Sequence, residues 1–369
     1  VGPRNTETLL SVQYLRAAAA IGVIVYHQVN GRADGALDFT YHAVDLFFVI
    51  SGFIMVAMTD AVGQSPGRFL RNRIARVAPL YWVATALTFA CVVVGLPMPG
   101  GNPDPILLLR SLLFIPTVNE LDPALAADKA FWPTMFLGWT LNYEMFFYAV
   151  FALLLPLPGR WRVWALAAAL IVPVVLGALF PPERHTLAHF YSRPWLVDFL
   201  AGALMGRVFG LDLRRNSTRD QILATTAIVA FMLACATAIP RLVPCAICTG
   251  ILGLALLTEK AGWVPWSRAG RFLGDASYSI YLVQEFAFLA VTLTVAHWPI
   301  PAGLFGDAAM AGARTLAAIG LGALAHVAIE KPITRFARRL LARLGERSAA
   351  KAPSVGRGWF GVERRGDIV

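Results

Sequence analysis

Charge is what this chain has least of. Only 15% of its 369 residues are Asp, Glu, Lys or Arg, against about 25% in a soluble domain, and no polar stretch is long enough to hold a soluble domain of its own. That shortage excludes a water-soluble enzyme and a disordered chain. Cysteine is scarce too: Cys91, Cys235, Cys245 and Cys248 all sit in apolar segments, which excludes a disulfide-stapled secreted module. Cys245-x-x-Cys248 has no second ligand pair at zinc spacing, so the cysteines read as small packing residues and no metal is expected. There is also no G-x-S-x-G nucleophile elbow. Apolar residues, by contrast, make up 57% of the chain, and the mean hydropathy is +0.62. Runs near the roughly 20 residues that span a bilayer recur along most of the chain. The expected fold class is all-α, a polytopic transmembrane helical bundle.

Candidate spans are 9–29, 42–58, 79–96, 133–155, 163–180, 194–210, 221–239, 244–258, 273–297 and 307–329. The first lacks a short apolar run with a small-residue cleavage site, and reads as a span rather than a signal peptide. An eleventh apolar stretch, 105–118, is about two-thirds of the spanning length and is bracketed by Pro105 and Pro116. Positive charge decides whether it crosses. If it does not, Arg68, Arg71, Arg73, Arg76, Arg160, Arg162, Arg207, Arg214, Arg215, Arg219, Lys260, Arg268 and Arg271 gather on one side with both termini. If it crosses, everything from residue 133 flips and the segregation is lost. The positive-inside rule therefore predicts ten spans, both termini cytoplasmic, and one short re-entrant or interfacial helix at 105–118. Topology accounts in the same way for the net charge of +10, and nucleic acid is not an expected partner. Residues 1–335 are expected to form the membrane domain. Residues 336–369 are basic and lack apolar periodicity, and read as a helix extension followed by a flexible cytoplasmic tail.

Ionisable residues inside spans are functional candidates by default. Arg16 and His27 lie eleven residues apart in the first span, hence on one helix face and about 16 Å apart along the axis. Snorkelling of either residue to its interface is the competing explanation. Arg73 and Arg76, in the loop before the third span, share a face at i and i+3 and present forked donors suited to a phosphorylated ligand; topology alone also explains positive charge there. Glu144 lies deep in the fourth span near Asn142, and must find a partner or be protonated. Asp45 places a second carboxylate near the start of the second span, six residues before Ser51. Ser51 reads as helix packing.

Several longer motifs run through the same segments. They are Arg16 and His27; Asp45-Leu46-Phe47-Phe48-Val49-Ile50-Ser51-Gly52-Phe53; Arg73-x-x-Arg76 before Pro79-Leu80-Tyr81-Trp82; and Trp139-Thr140-Leu141-Asn142-Tyr143-Glu144. Further on come Gly274-Asp275-Ala276-Ser277-Tyr278-Ser279-Ile280-Tyr281-Leu282 and Glu330-Lys331-Pro332. In this order they resemble acyltransferase family 3 of integral membrane proteins, and within it the exopolysaccharide O-acetyltransferases. One position departs from the pattern: Gln284 stands where the family commonly carries a second histidine, which leaves His27 to transfer the proton alone.

The resemblance implies a bacterial inner-membrane enzyme that moves an acetyl or other short acyl group from acyl-CoA, most simply acetyl-CoA, to a sugar hydroxyl of an exopolysaccharide or its lipid-linked repeat. Membrane lipids and the polysaccharide biosynthesis machinery are the other partners it implies. The residues supply a mechanism for such a transfer. His27 is the candidate general base, since a neutral imidazole suits deprotonation of a hydroxyl near neutral pH, and Glu144 or Asp45 is the candidate to orient its ring. Arg73 and Arg76 are the candidates to hold the donor's phosphates on the cytoplasmic side, with Arg16 lining the way inward as a further catalytic candidate. Pantetheine is long enough to reach from Arg16 to His27, and the acceptor is expected from the opposite face. A macrolide-like or lipooligosaccharide acceptor remains open, as does a transporter of lipid-linked sugar, although no inverted repeat of broken spans is evident.

Overall fold

The computed structural model describes residues 9–29, 38–119, 131–296 and 303–351, which contain helices and no strand. In chain order the helices are α1 (Leu10–Val29), α2 (Ala43–Val62), α3 (Pro66–Val93), the short α4 (Pro105–Leu112), α5 (Trp139–Leu154) and α6 (Gly159–Leu179). They are followed by the five-residue α7 (Leu187–Tyr191), α8 (Trp195–Phe209), α9 (Thr218–Cys235), α10 (Leu242–Lys260), α11 (Arg268–Val295), α12 (Leu304–Ala325) and α13 (Lys331–Lys351). Each expected span has its helix. Among the described residues eight stretches are long and apolar enough to cross a membrane; α1 and α8 complete the ten. α1 is made less apolar by Gln13, Arg16, His27 and Gln28, all on a helix surrounded by protein. α8 has only 15 residues, eleven of them buried, so it meets other helices rather than lipid.

The bundle is tightest where α2 crosses α8. A Cβ on Gly202 would lie 1.8 Å from the Val49 carbonyl oxygen, and one on Gly52 would lie 2.0 Å from that of Phe199. The two backbones therefore touch, the close approach that small residues allow between membrane helices. This is the structural use of Gly52 in the Ser51-Gly52-Phe53 sequence. On the other flank α1 packs along α11, where a Cβ on Gly274 would come within 2.3 Å of the Gln13 carbonyl oxygen. The exposed N–H groups that begin α1 are satisfied from α10: those of Leu10 and Ser11 donate to the Glu259 carboxylate at 2.8 and 2.9 Å, a favourable place for negative charge.

Segment 105–118 does not cross. α4 has eight residues, about 12 Å of helix, and the side-chain amide of Asn102 before it donates to the side-chain Oδ1 of Asn119 after it at 2.9 Å. The segment enters and returns on one side. Ion pairs confirm the count independently. Asp60, at the end of α2, lies 2.5 Å from Arg207 at the end of α8 and 3.6 Å from Arg162 at the start of α6. Residues on either side of the disputed segment in sequence are therefore on the same face of the bundle. Arg32 and Lys129, and the tail from residue 352, lie outside the described residues.

Two features differ from the sequence reading. The third span was expected from residue 79, with Arg73 and Arg76 in a preceding loop, but α3 starts at Pro66 and continues through Pro79. Proline at the first helical position gives a clean start, and Arg73 and Arg76 are on a rigid helix. At the other end, α12 runs into α13 through one π-helical turn, His326–Glu330. The turn was not expected; the helix then continues to Lys351, where a helix extension was expected.

Candidate active site

Two cavities open into the bundle, one at each end of α1. The first, about 750 Å³, is lined by Gln13 and Arg16 from the N-terminal half of α1 and by Asp275 from α11. The second, about 700 Å³, is lined by Tyr26 and His27 from the C-terminal half of α1 and by Glu285 from α11. α1 and α11 thus run side by side in the same direction. Val44 and Tyr281 belong to both walls, so the cavities abut. The Tyr281 hydroxyl is fixed there, donating to the Leu137 carbonyl at 2.9 Å and lying 2.9 Å from the Thr140 hydroxyl.

The first cavity is basic. Arg16, Arg73, Arg76 and Arg338 bring four guanidinium groups to it from α1, α3 and α13. Arg73 lies 5.6 Å from the Phe69 ring centroid, and its Nε–H is buried with no acceptor among the described residues. Arg76 is differently placed. Its Nη1 lies 2.8 Å from Oε1 of Glu330, a residue only 1% exposed. The other oxygen of Glu330 accepts from the Ser279 hydroxyl at 2.6 Å and lies 2.7 Å from His326 Nδ1. Glu330 of the Glu-Lys-Pro motif, set inward by the π-helical turn, therefore fixes one arm of the Arg76 fork. Glu144 also faces this cavity. Its Oε1 accepts from the Ser51 hydroxyl at 2.8 Å and from the Tyr148 hydroxyl.

The second cavity is aromatic. His27 makes edge contacts with Phe136 and Tyr26, both at 5.3 Å between ring centroids, and Trp132, Trp139, Trp195 and Tyr143 form further wall. His42, Arg193 and Glu285 supply the charged and titratable groups beside His27. Gln284 is fully buried with neither amide atom partnered. The 100° turn per residue of the helix sends it away from the cavity and carries its neighbour Glu285 into the wall.

Arg16 and His27 are indeed aligned on α1, but they line two abutting cavities rather than one. The expected orientation of His27 by Glu144 or Asp45 does not hold. Glu144 is engaged by Ser51 and Tyr148 in the basic cavity. Asp45 is fully buried, 3.0 Å from His42 Nδ1 and paired with Arg241, whose guanidinium lies 4.0 Å over the Trp195 ring. Asp45 therefore braces the aromatic wall and holds His42. Sequence reasoning did not single out Arg338, His42, Arg241 or Glu285 as site residues. For Glu285 a signal existed, a carboxylate within an apolar span; for Arg241 the partner lies 196 residues away.

Comparison with known proteins follows the same lines. A family model described as an acyltransferase domain matches residues 9–327. The chain is 33% identical to "Exopolysaccharide production protein ExoZ" of Rhizobium meliloti (strain 1021) over 317 residues, covering 83% of this chain and 94% of that protein. It is 31% identical to "Protein 2 in picA locus" of Rhizobium radiobacter over 205 residues, 47% of this chain and 97% of that one. No solved structure matches. With ten helices placed as expected and the family model covering nearly all of them, the chain belongs to acyltransferase family 3 and is a membrane O-acyltransferase.

Proposed function

We propose that this chain transfers an acetyl group from acetyl-CoA to a hydroxyl of an exopolysaccharide or its lipid-linked repeat. The observation that carries the reading is the pair of abutting cavities, one with four arginines and one with His27 among aromatic rings. The similarity to an exopolysaccharide production protein supports the acceptor class.

The basic cavity faces the cytoplasm of a bacterial inner membrane, on the side of both termini, since Arg68, Arg71 and Arg73 in the first turns of α3 lie at that end. Arg73 and Arg338 hold the donor's phosphates with Arg76, whose free donors extend beyond its contact with Glu330. Arg16 lines the path along which the pantetheine arm reaches the layer of Val44 and Tyr281. In the aromatic cavity the sugar O–H bond breaks as its proton passes to the His27 imidazole. The oxygen bonds to the acyl carbon and the C–S bond breaks. The imidazolium returns its proton to the departing thiolate. Glu144 sits on the donor path, where its hydrogen bonds with Ser51 and Tyr148 keep a carboxylate among arginines.

The test is incubation of the purified full chain with radiolabelled acetyl-CoA and deacetylated exopolysaccharide from the producing cells. Label in the polysaccharide, sensitive to mild alkali, is the expected result. Intact acetyl-CoA, or label released only as acetate, would overturn the reading.

A further inference from the structure

Glu285 is 8% exposed and lies in the wall of the aromatic cavity. Among the described residues it makes no hydrogen bond and no ion pair. Arg314 on α12 is the charged group whose field reaches Glu285, and the cations around that wall make their hydrogen bonds elsewhere. Arg314 on α12 donates to Thr292 at 2.8 Å and to Gln28 at 3.4 Å, Arg193 lies 2.9 Å from His189, and His42 is held by Asp45. A carboxylate in a wall of aromatic rings keeps its charge only while something donates to it, and a ligand that displaces water from the cavity must bring those donors itself. The partner that fits is therefore a ligand rich in hydroxyl donors. Trp132, Trp139 and Trp195 in the same walls offer flat apolar faces with polar edges, which suit a ring that has an apolar C–H face and a rim of hydroxyls.

We propose that Glu285 is the acceptor-binding carboxylate of this chain: it accepts hydrogen bonds from hydroxyls of a neutral pyranose and presents an adjacent hydroxyl to His27. The packing of α1 on α11 gives the right depth. Gly274 lies against Gln13; Glu285 is eleven residues beyond Gly274 and His27 fourteen beyond Gln13, so the two differ in depth by about 4.5 Å, close to the width of one sugar ring. An acidic sugar is repelled at this subsite by the same carboxylate. The inference rests on the aromatic cavity being the acceptor site.

The experiment measures binding without turnover. Oligosaccharides from the deacetylated exopolysaccharide of the producing cells are titrated into the full chain in detergent, with tryptophan fluorescence as the readout, and acetyl-CoA binding is measured separately. Glu285→Gln is expected to weaken oligosaccharide binding about tenfold or more and to leave acetyl-CoA binding unchanged. His27→Gln should bind both ligands as the wild type does. Wild-type oligosaccharide affinity in Glu285→Gln overturns the proposal. Where that variant is lost on purification, Glu285→Asp decides: weaker saccharide binding with intact donor binding is expected, and wild-type saccharide binding overturns the assignment. A wild type that binds acetyl-CoA and no oligosaccharide overturns the acceptor reading itself.

Discussion

The basic and aromatic cavities are nearly equal in volume and share two wall residues, yet almost nothing else about them is alike. The basic one is built from long, flexible guanidinium side chains, of which Arg76 is held by a carboxylate, Glu330, while Glu144 is tied to the hydroxyls of Ser51 and Tyr148. The aromatic one is built from rigid rings in mutual contact, such as Trp139 on Trp195 at 5.2 Å and Tyr143 on Phe190 at 4.2 Å. Charge recognises phosphate through forked, directional donors, whereas flat rings hold a ligand by area and leave a few polar groups to set its orientation. In the proposed reading, two unlike substrates meet these two chemistries at opposite ends of α1.

Variants that separate the two ends test this division. The largest effect is expected from His27→Gln: turnover falls by about 10²-fold to 10⁴-fold while acetyl-CoA affinity stays near that of the wild type, because a base acts in the transition state. Single-turnover rates and donor binding by equilibrium dialysis check it, and the wild-type rate should fall on the acid side as imidazole protonates. Arg76→Ala comes next and mixes two losses. It removes a phosphate donor and leaves Glu330 short of a partner, at about 1–3 kcal/mol, so both donor affinity and thermal stability in detergent should drop. Arg73→Ala is the cleaner donor variant, since Arg73 pairs with no carboxylate among the described residues. Donor affinity should weaken about tenfold with stability unchanged, and Arg73→Lys should rescue only part of it because an ammonium lacks the fork. The smallest effect belongs to Arg338→Ala. This residue is exposed, and its contribution should be a few-fold in donor affinity that vanishes as salt is raised. Loss of donor binding in His27→Gln, or loss of turnover with intact donor binding in Arg73→Ala, would break the division of labour.

Much of this was legible before any coordinates. Spans are written in runs of apolar residues, and the failure of 105–118 to cross followed from its length and from where arginines fall. Arg16, His27, Arg73 and Glu144 stood out because charge within or beside a span is costly and rarely idle. What could not be read was partnership across the bundle. Asp45 looked like a companion for His27, but its partner is Arg241, brought close only by the packing of α10 on α2. Glu330 was visible as a motif, and its use, fixing Arg76, depends on a π-helical turn that hydrophobic periodicity does not announce. The start of α3 was misplaced because basic residues mask the helical pattern that Pro66 begins.

The shared layer of Val44 and Tyr281 has an electrical consequence. A membrane potential falls mostly across the part of its path with the lowest dielectric, and two open chambers set end to end shorten that part to little more than the layer between them. An ion forced through it would carry the full work of the field, about 2.3 kcal/mol per unit charge for each 100 mV. In the proposed mechanism the acyl group passes as a neutral group at no such cost, while the phosphates of its proposed carrier stay outside the field. The enzyme that this bundle forms can therefore work in an energised membrane without discharging it, and its rate should be insensitive to voltage.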